Sequence, residues 1–264
     1  MLKITLLLFV FAPLYLSGQN FQKHFDSLQI TGSTAVFDYN SKKWYYSDGK
    51  DANIETLPAS TFKIPNSLIA LEYNAVQDEN EVFKWDGKPK SHFGNVIDVW
   101  NKDTDLKTAY KNSTVWVYEE VANRVGRDKY ITILDKCNYG NGILTEKGTD
   151  FWNYGDFAIS PSNQIEFLIK LYENNLPFSD TIINKVKEIM ISEVTESKIL
   201  RGKTGWTRHA GKDIGWWVGY LESDSNVYFF ATRLTKSIED KNPHFLSARK
   251  NITNNILSQI INNQ

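Results

Sequence analysis

Ser60 and Lys63 stand three residues apart in Ala59-Ser-Thr-Phe-Lys63, directly after Pro58 and at the head of a helically spaced apolar run. Side chains at that spacing share one face of a helix, so their tips can meet. A serine hydroxyl is a weak nucleophile and needs an adjacent base. Lysine can be that base only when burial in apolar surroundings lowers its pKa. The N–H groups of a helix N-terminus favour an anion developing beside them. The chemistry such a pair could do is acyl transfer through Ser60. The pair alone is not specific: Ser47/Lys50 and Ser247/Lys250 repeat the spacing, and a capping serine beside a solvated lysine is the plainer reading of each.

Three more segments bear on that chemistry. In Lys203-Thr204-Gly205 a cation and a hydroxyl lie side by side, suited to a substrate carboxylate. The adjacent glycine lets a ligand approach the backbone closely, although such a tripeptide often marks only a turn. Ser113-Thr114-Val115 opens an expected helix, where Ser113 makes a plausible N-cap. Tyr139-Gly140-Asn141 is by itself turn-like.

The elements that must position these residues follow from periodicity. Residues 33–38 and 43–47 are β-rich around Asn40-Ser41 and read as a hairpin. Ile64, Leu68, Leu71 and Ala75 fall at helical spacing, which predicts a helix over 59–74. Pro65 supplies no N–H to the Thr61 carbonyl, so its first turn should be irregular. Residues 114–125 read as helix, and 162–173 and 180–191 add two more, opened by a capping Ser and Asp. Residues 214–222 and 227–234 form a second hairpin, in which Trp216 and Trp217 alternate faces, so one of them should lie beneath the active-site strand. A closing helix runs over 246–261. Strands at both ends with helices between them predict one α/β (α+β) unit: an antiparallel sheet from the N- and C-terminal segments, flanked by helices, with a helical lobe inserted at roughly 66–190.

Composition excludes several classes. The chain has 264 residues, 41% apolar and 14% aromatic, enough for a real core. A net charge of −1 argues against a nucleic-acid partner. The single cysteine, Cys137, precludes an internal disulfide framework and reads as a buried apolar filler. His24, His92, His209 and His244 form no ligand motif, so no metal is expected. No Gly-x-Ser-x-Gly elbow or Gly-rich phosphate loop is present.

The first residues are a separate object. Lys3 precedes the uncharged run 4–16, which ends in Ser17-Gly18. This is the shape of a secretory signal, too short for a comfortable membrane span. Residues 1–18 are therefore expected to be removed, leaving 19–264 as a single soluble periplasmic domain with no membrane association after cleavage. Nothing patterned marks a subunit interface, so a homodimer stays open.

Together, the order and spacing of these segments resemble a known family, the class D serine β-lactamases (oxacillinases). The resemblance runs from about Thr34 to the last helix. It rests on 58–72 (PASTFKIPNSLIALE), Ser113-x-Val115, Tyr139-Gly-Asn141, Asp150-Phe-Trp152, 200–206 (LRGKTGW) and 215–220 (GWWVGY). It implies a serine β-lactamase/transpeptidase-like fold and hydrolysis of a small-molecule β-lactam through an acyl-enzyme on Ser60. The backbone N–H groups of Ser60 and Trp206 would form the oxyanion hole. Lys63 would carry carbon dioxide as a carbamate, acting as the base for acylation and for the deacylating water, with no other cofactor. Trp152 would hold that carbamate through its indole N–H, and Val115 would form part of an apolar wall. Ser113, with Lys203 nearby, would relay protons to the leaving nitrogen. Thr204 and Arg249 would bind the substrate carboxylate at the backbone of Gly205. Tyr139 to Asn141 would be mainly structural. One residue departs from the family pattern: Asn153 follows the tryptophan where an apolar residue is usual, which predicts a wetter pocket.

Two related roles remain as alternatives, a β-lactam sensor that acylates and stops, and a penicillin-binding transpeptidase or carboxypeptidase. The single leader segment and the apolar Val115 disfavour the sensor; the Ser113-x-Val115 motif disfavours the penicillin-binding enzyme. The loops at 85–99 and 206–214 are expected to shape substrate range.

Overall fold

A computed structural model of the chain describes residues 20–223 and 225–263; the expected signal segment lies outside them. Six strands form one antiparallel sheet in the spatial order Lys43–Tyr46, Thr31–Asp38, Val227–Ser237, Lys212–Ser223, Lys198–His209, Ile191–Val194. The first two strands thus pair with the last ones, Ala35 opposite Ala231, and the sheet is built from both ends of the chain as expected. Between these groups of strands the chain runs through six α-helices, Lys63–Glu72, Leu106–Asn112, Val115–Val125, Arg127–Cys137, Pro161–Tyr172 and Asp180–Ile189.

Alternation along the strands splits the core in two. Phe37, Trp216, Val218, Tyr220, Phe229 and Ala231 face the helices of the middle segment. Val36, Trp217, Phe230 and Leu234 face the closing helix Phe245–Ile261. Both tryptophans are buried, on opposite faces of the same strand. A strand apolar on both faces needs cover on both, and the helical layers provide it.

Several elements differ from the sequence expectation. The 59–74 segment begins as a 3-10 turn, Ala59–Phe62, and becomes α-helical only at Lys63, which is the irregularity Pro65 implied. The helix expected at 162–173 starts at Pro161 and is capped by Ser160, whose Oγ accepts from the Asn163 N–H at 3.2 Å. Ser113 is not a helix N-cap: it ends the preceding helix Leu106–Asn112 in a left-handed conformation, φ 56°, and Thr114 holds the N-cap position of the next helix. The Lys203 segment lies within a twelve-residue strand, Lys198–His209, that leads into the second hairpin. The helices at 106–112 and 127–137 were not anticipated; their apolar faces are interrupted by lysine and aspartate, which weakens the periodic signal.

Phe62 organises the core beside the candidate nucleophile. It is fully buried, stacks on Trp152 at 5.3 Å between centroids and meets Phe151 edge-on at 5.0 Å and Phe157 at 5.6 Å. Truncating a ring enclosed in this way removes its burial and leaves a cavity. Phe62→Ala should lower the unfolding free energy by about 3–5 kcal/mol, measured by denaturant titration.

Candidate active site

The turn that carries Ser60 is held from three sides. Ala59 has φ 52°, a left-handed conformation that a residue with a Cβ adopts only under constraint. Its N–H donates to the Trp152 carbonyl at 2.9 Å. Thr61 Oγ1 donates to the Pro58 carbonyl at 2.7 Å and accepts from Gln164 Nε2 at 2.9 Å. On the third side lies the strand bearing Lys203. A Cβ built on Gly205 would stand 3.0 Å from the Pro58 carbonyl oxygen, 3.1 Å from Ala59 Cβ and 3.3 Å from the Ser60 backbone nitrogen. Only glycine lets strand and turn approach this closely.

Lys63 follows one turn later and is wholly enclosed, 0% exposed. Its Nζ lies 3.3 Å from Ser60 Oγ, 4.5 Å over the Tyr118 ring and 5.9 Å from the Trp152 ring centre. Burial pushes the amine below the usual lysine range, and the carboxylates of Asp150 and Glu119 partly oppose that shift. Burial likewise raises Asp150 well above the usual carboxylate range. The indole N–H of Trp152 is buried beside this amine with no hydrogen-bond partner among the described residues. A neutral-leaning amine and an orphaned donor in one apolar enclosure fit a lysine carbamate, whose oxygens would accept that N–H.

Asn153 lies beside this enclosure, with its Oδ1 buried and without a hydrogen-bond partner among the described residues. It is 2% exposed, and its Nδ2 donates to both carboxylate oxygens of Asp150, at 2.8 and 3.1 Å. The Asn153 carbonyl accepts from Thr207 Oγ1 at 2.8 Å, linking the tryptophan segment to the strand of Lys203.

Lys203 is 3% exposed and donates to Ser113 Oγ at 2.5 Å and to the Thr204 carbonyl at 3.0 Å. The left-handed turn at Ser113 is what aims its hydroxyl across the cleft. Burial, then the neighbouring charges of Lys63, Arg249 and Lys250, hold the Lys203 amine well below its ordinary value. Arg249 donates to the Gly205 carbonyl at 2.5 Å; burial lowers its pKa to about 10, so it stays charged at neutral pH.

A cleft of about 140 Å³ brings Ser60, Ser113, Val115, Thr204, Gly205, Trp206 and Arg249 together. Lys63 and Lys203 stand behind it, joined through Ser60 and Ser113. Tyr139 is buried among Phe62, Phe157 and Phe167, consistent with a structural part. A wider groove of about 720 Å³ near Lys84, Trp116 and Arg124 contains none of the reactive groups. His92 and Trp100 also line the small cleft, and neither was singled out from sequence for this site. The one available signal was the place of His92 in the 85–99 loop, which Trp100 directly follows. Burial lowers the His92 pKa, so its imidazole is neutral at neutral pH.

The buried Ser-x-x-Lys pair thus lies against the strand that carries Lys203. The penicillin-binding protein transpeptidase domain matches residues 29–261. Beta-lactamase OXA-48 of Klebsiella pneumoniae is 39% identical over 92% of this chain and 88% of its own length. Beta-lactamase OXA-20 of Pseudomonas aeruginosa is 41% identical over 82% of this chain and 79% of its own. The solved class D beta-lactamase from Sebaldella termitidis superposes with a TM-score of 0.87 at 45% identity, covering 92% of this chain and 96% of that one. The chain belongs to the class D β-lactamase family.

The close approach at Gly205 makes a clean test of how the turn is positioned. Gly205→Ala should push Ser60 by a few tenths of an ångström and lower kcat/KM by roughly tenfold or more, in steady-state hydrolysis assays, with little change in the thermal midpoint.

Proposed function

We propose that this protein hydrolyses β-lactam antibiotics through an acyl-enzyme on Ser60. The observation that carries the reading is the enclosed Lys63 amine 3.3 Å from Ser60 Oγ. Carbon dioxide added to that amine would supply an oxygen base beside Ser60. Every other contribution comes from the chain itself. Ser60 Oγ gives up its proton toward Lys63 and attacks the lactam carbonyl carbon. The N–H groups of Ser60 and Trp206 are the donors assigned to the carbonyl oxygen as it becomes an anion. Ser113, held by Lys203, passes a proton to the departing ring nitrogen. Thr204 and Arg249 receive the substrate carboxylate at the mouth. Val115, Tyr118 and Trp152 keep the enclosure apolar, which sustains the lysine shift. Water then cleaves the Ser60 ester, and the ring-opened acid leaves.

The apolar run at 4–16 supports export as a soluble periplasmic protein after loss of 1–18. Among the described residues no helix is long and apolar enough to cross a membrane.

Turnover of a chromogenic cephalosporin should rise on adding bicarbonate, and Ser60→Ala should lose acylation outright. One-to-one acylation without turnover would point instead to a sensor or penicillin-binding role. Robust hydrolysis by Ser60→Ala would sink the assignment.

The same site has a pH signature. Carbamate formation needs the neutral amine. Because burial lowers the Lys63 pKa, that form is available near pH 8 and is lost as pH falls. The bicarbonate concentration giving half-maximal activity should therefore climb steadily from about pH 8 to about pH 6, whereas a carbamate-independent enzyme would show no such trend.

A further inference from the structure

The strand that carries Lys203 borders a second cavity beside the catalytic cleft. It measures about 250 Å³, and its lining includes Tyr110, Lys111, Lys203, Thr204, Trp217 and Lys250. Thr204 lines both cavities. Lys203 joins them: it lines the second and donates to Ser113, which lines the first. The space exists because the neighbouring strand is short. Ile191–Val194 pairs with the Lys203 strand only as far as Arg201. The Gly202 N–H still donates to the Met190 carbonyl at 2.9 Å, where the chain leaves the helix Asp180–Ile189. From Lys203 onward that edge has no partner strand among the described residues.

The lining is cationic. It holds three lysines and no Asp or Glu, in a chain whose formal net charge is −1. Lys203 has committed its N–H bonds to Ser113 and the Thr204 carbonyl. Lys111 and Lys250 have neither an ion pair nor a side-chain hydrogen bond among the described residues. Glu193 acts on Lys250 through its charge but lines a different groove. Lys250 rests on Trp217, its Nζ 4.5 Å over the indole. That indole reaches the cavity past Gly202, where a Cβ would stand 2.7 Å from the ring. A side chain at Gly202 would displace the ring and the lysine resting on it. Two unpaired ammonium groups around a recess without acids focus their field on an anion, and lysine binds oxyanions as a point charge.

We propose that this cavity is an oxyanion subsite, in which Lys111 and Lys250 hold a second negatively charged group of the substrate, a carboxylate or sulfonate. In a bicyclic β-lactam the ring carbon next to the one bearing the carboxylate carries a side group. With the carboxylate received by Thr204 and Arg249, that side group leaves the cleft on the Thr204 side, where the second cavity begins. The subsite rests on the Ser60 reading above and adds a substrate class to it, β-lactams with two anionic groups. Lys111 and Lys250 act on binding and not on the reacting atoms.

The test compares two cephalosporins that share one acyl side chain. One carries a carboxylate-bearing group on that ring carbon, the other a neutral group of similar size. The variants are Lys111→Gln, Lys250→Gln and the two together. Lys136→Gln removes an exposed lysine that lines neither cavity and gives the effect of overall charge. The ratio of kcat/KM, anionic over neutral substrate, should fall roughly fivefold in each single variant, mainly through KM, and further in the double variant. Lys136→Gln should leave it within about twofold. A free oxyanion offers the same chemistry, so inhibition by inorganic phosphate is measured at constant ionic strength. Phosphate that inhibits the parent more than the double variant, with the ratio unmoved, keeps the subsite and overturns the substrate group as its occupant. An unmoved ratio with equal phosphate inhibition overturns the subsite. So does an equal fall in Lys136→Gln, which would report the charge of the whole chain. Failure of the parent to turn over either cephalosporin overturns the Ser60 reading and the subsite together, whereas turnover of both with ratio and phosphate inhibition unmoved removes only the subsite.

Discussion

The enclosure of one amine governs this structure. Lys63 is fully buried against the Tyr118 ring and beside Trp152, 3.3 Å from the Ser60 hydroxyl. A charged ammonium loses its hydration there, so burial favours the neutral form. A neutral lysine is what the hydroxyl needs as a partner, and it is also the form that can take up carbon dioxide. The surrounding aromatic cluster around Phe62 thus holds the core together and sets the charge state of the site. The carboxylates of Asp150 and Glu119 pull the other way. Asn153 donates from Nδ2 to the carboxylate of Asp150, so the residue that departs from the family pattern acts on a carboxylate that influences Lys63, with its own side chain buried.

A dry enclosure would be of no use if the hydroxyl were misplaced. The turn at Ser60 is fixed by contacts from distant parts of the chain: the Trp152 carbonyl on the Ala59 N–H, Gln164 on Thr61, and the bare backbone of Gly205. These hold Ala59 in a conformation it would not adopt alone. The turn is therefore a product of the sheet and helices meeting, and the oriented N–H groups beside Ser60 come with it.

Charge is handled locally. The chain carries a formal net charge of −1, yet Lys63, Lys203 and Arg249 converge on one small cleft, each held below its ordinary pKa by burial first. Arg249 remains a full cation facing Thr204, where an anionic substrate group would be bound. Lys203 instead spends its N–H bonds on Ser113 and the Thr204 carbonyl, a use that matches proton relay better than simple attraction of an anion.

Local pattern determined much of this. The two hairpins, the helix after Pro58 and its irregular first turn, and the closing helix were legible because side-chain period and turn chemistry act over a few residues. Order and spacing of the Ser60, Ser113 and Lys203 segments pointed to residues that the fold brings together around one cleft, since a joint match of several short motifs is far more specific than any one. The tertiary structure decided what local rules cannot. It made Ser113 the left-handed C-terminal residue of one helix, facing Lys203, and not the N-cap of the next. It brought His92 and Trp100 over the cleft from a loop with no periodic signal. It also separated the three Ser-x-x-Lys pairs. Lys50 and Lys250 are exposed, and Lys63 alone is sealed. The spacing is identical in all three. Burial depends on contacts from Tyr118 and Trp152, residues far from Lys63 in the chain, and no short window around Lys63 contains them.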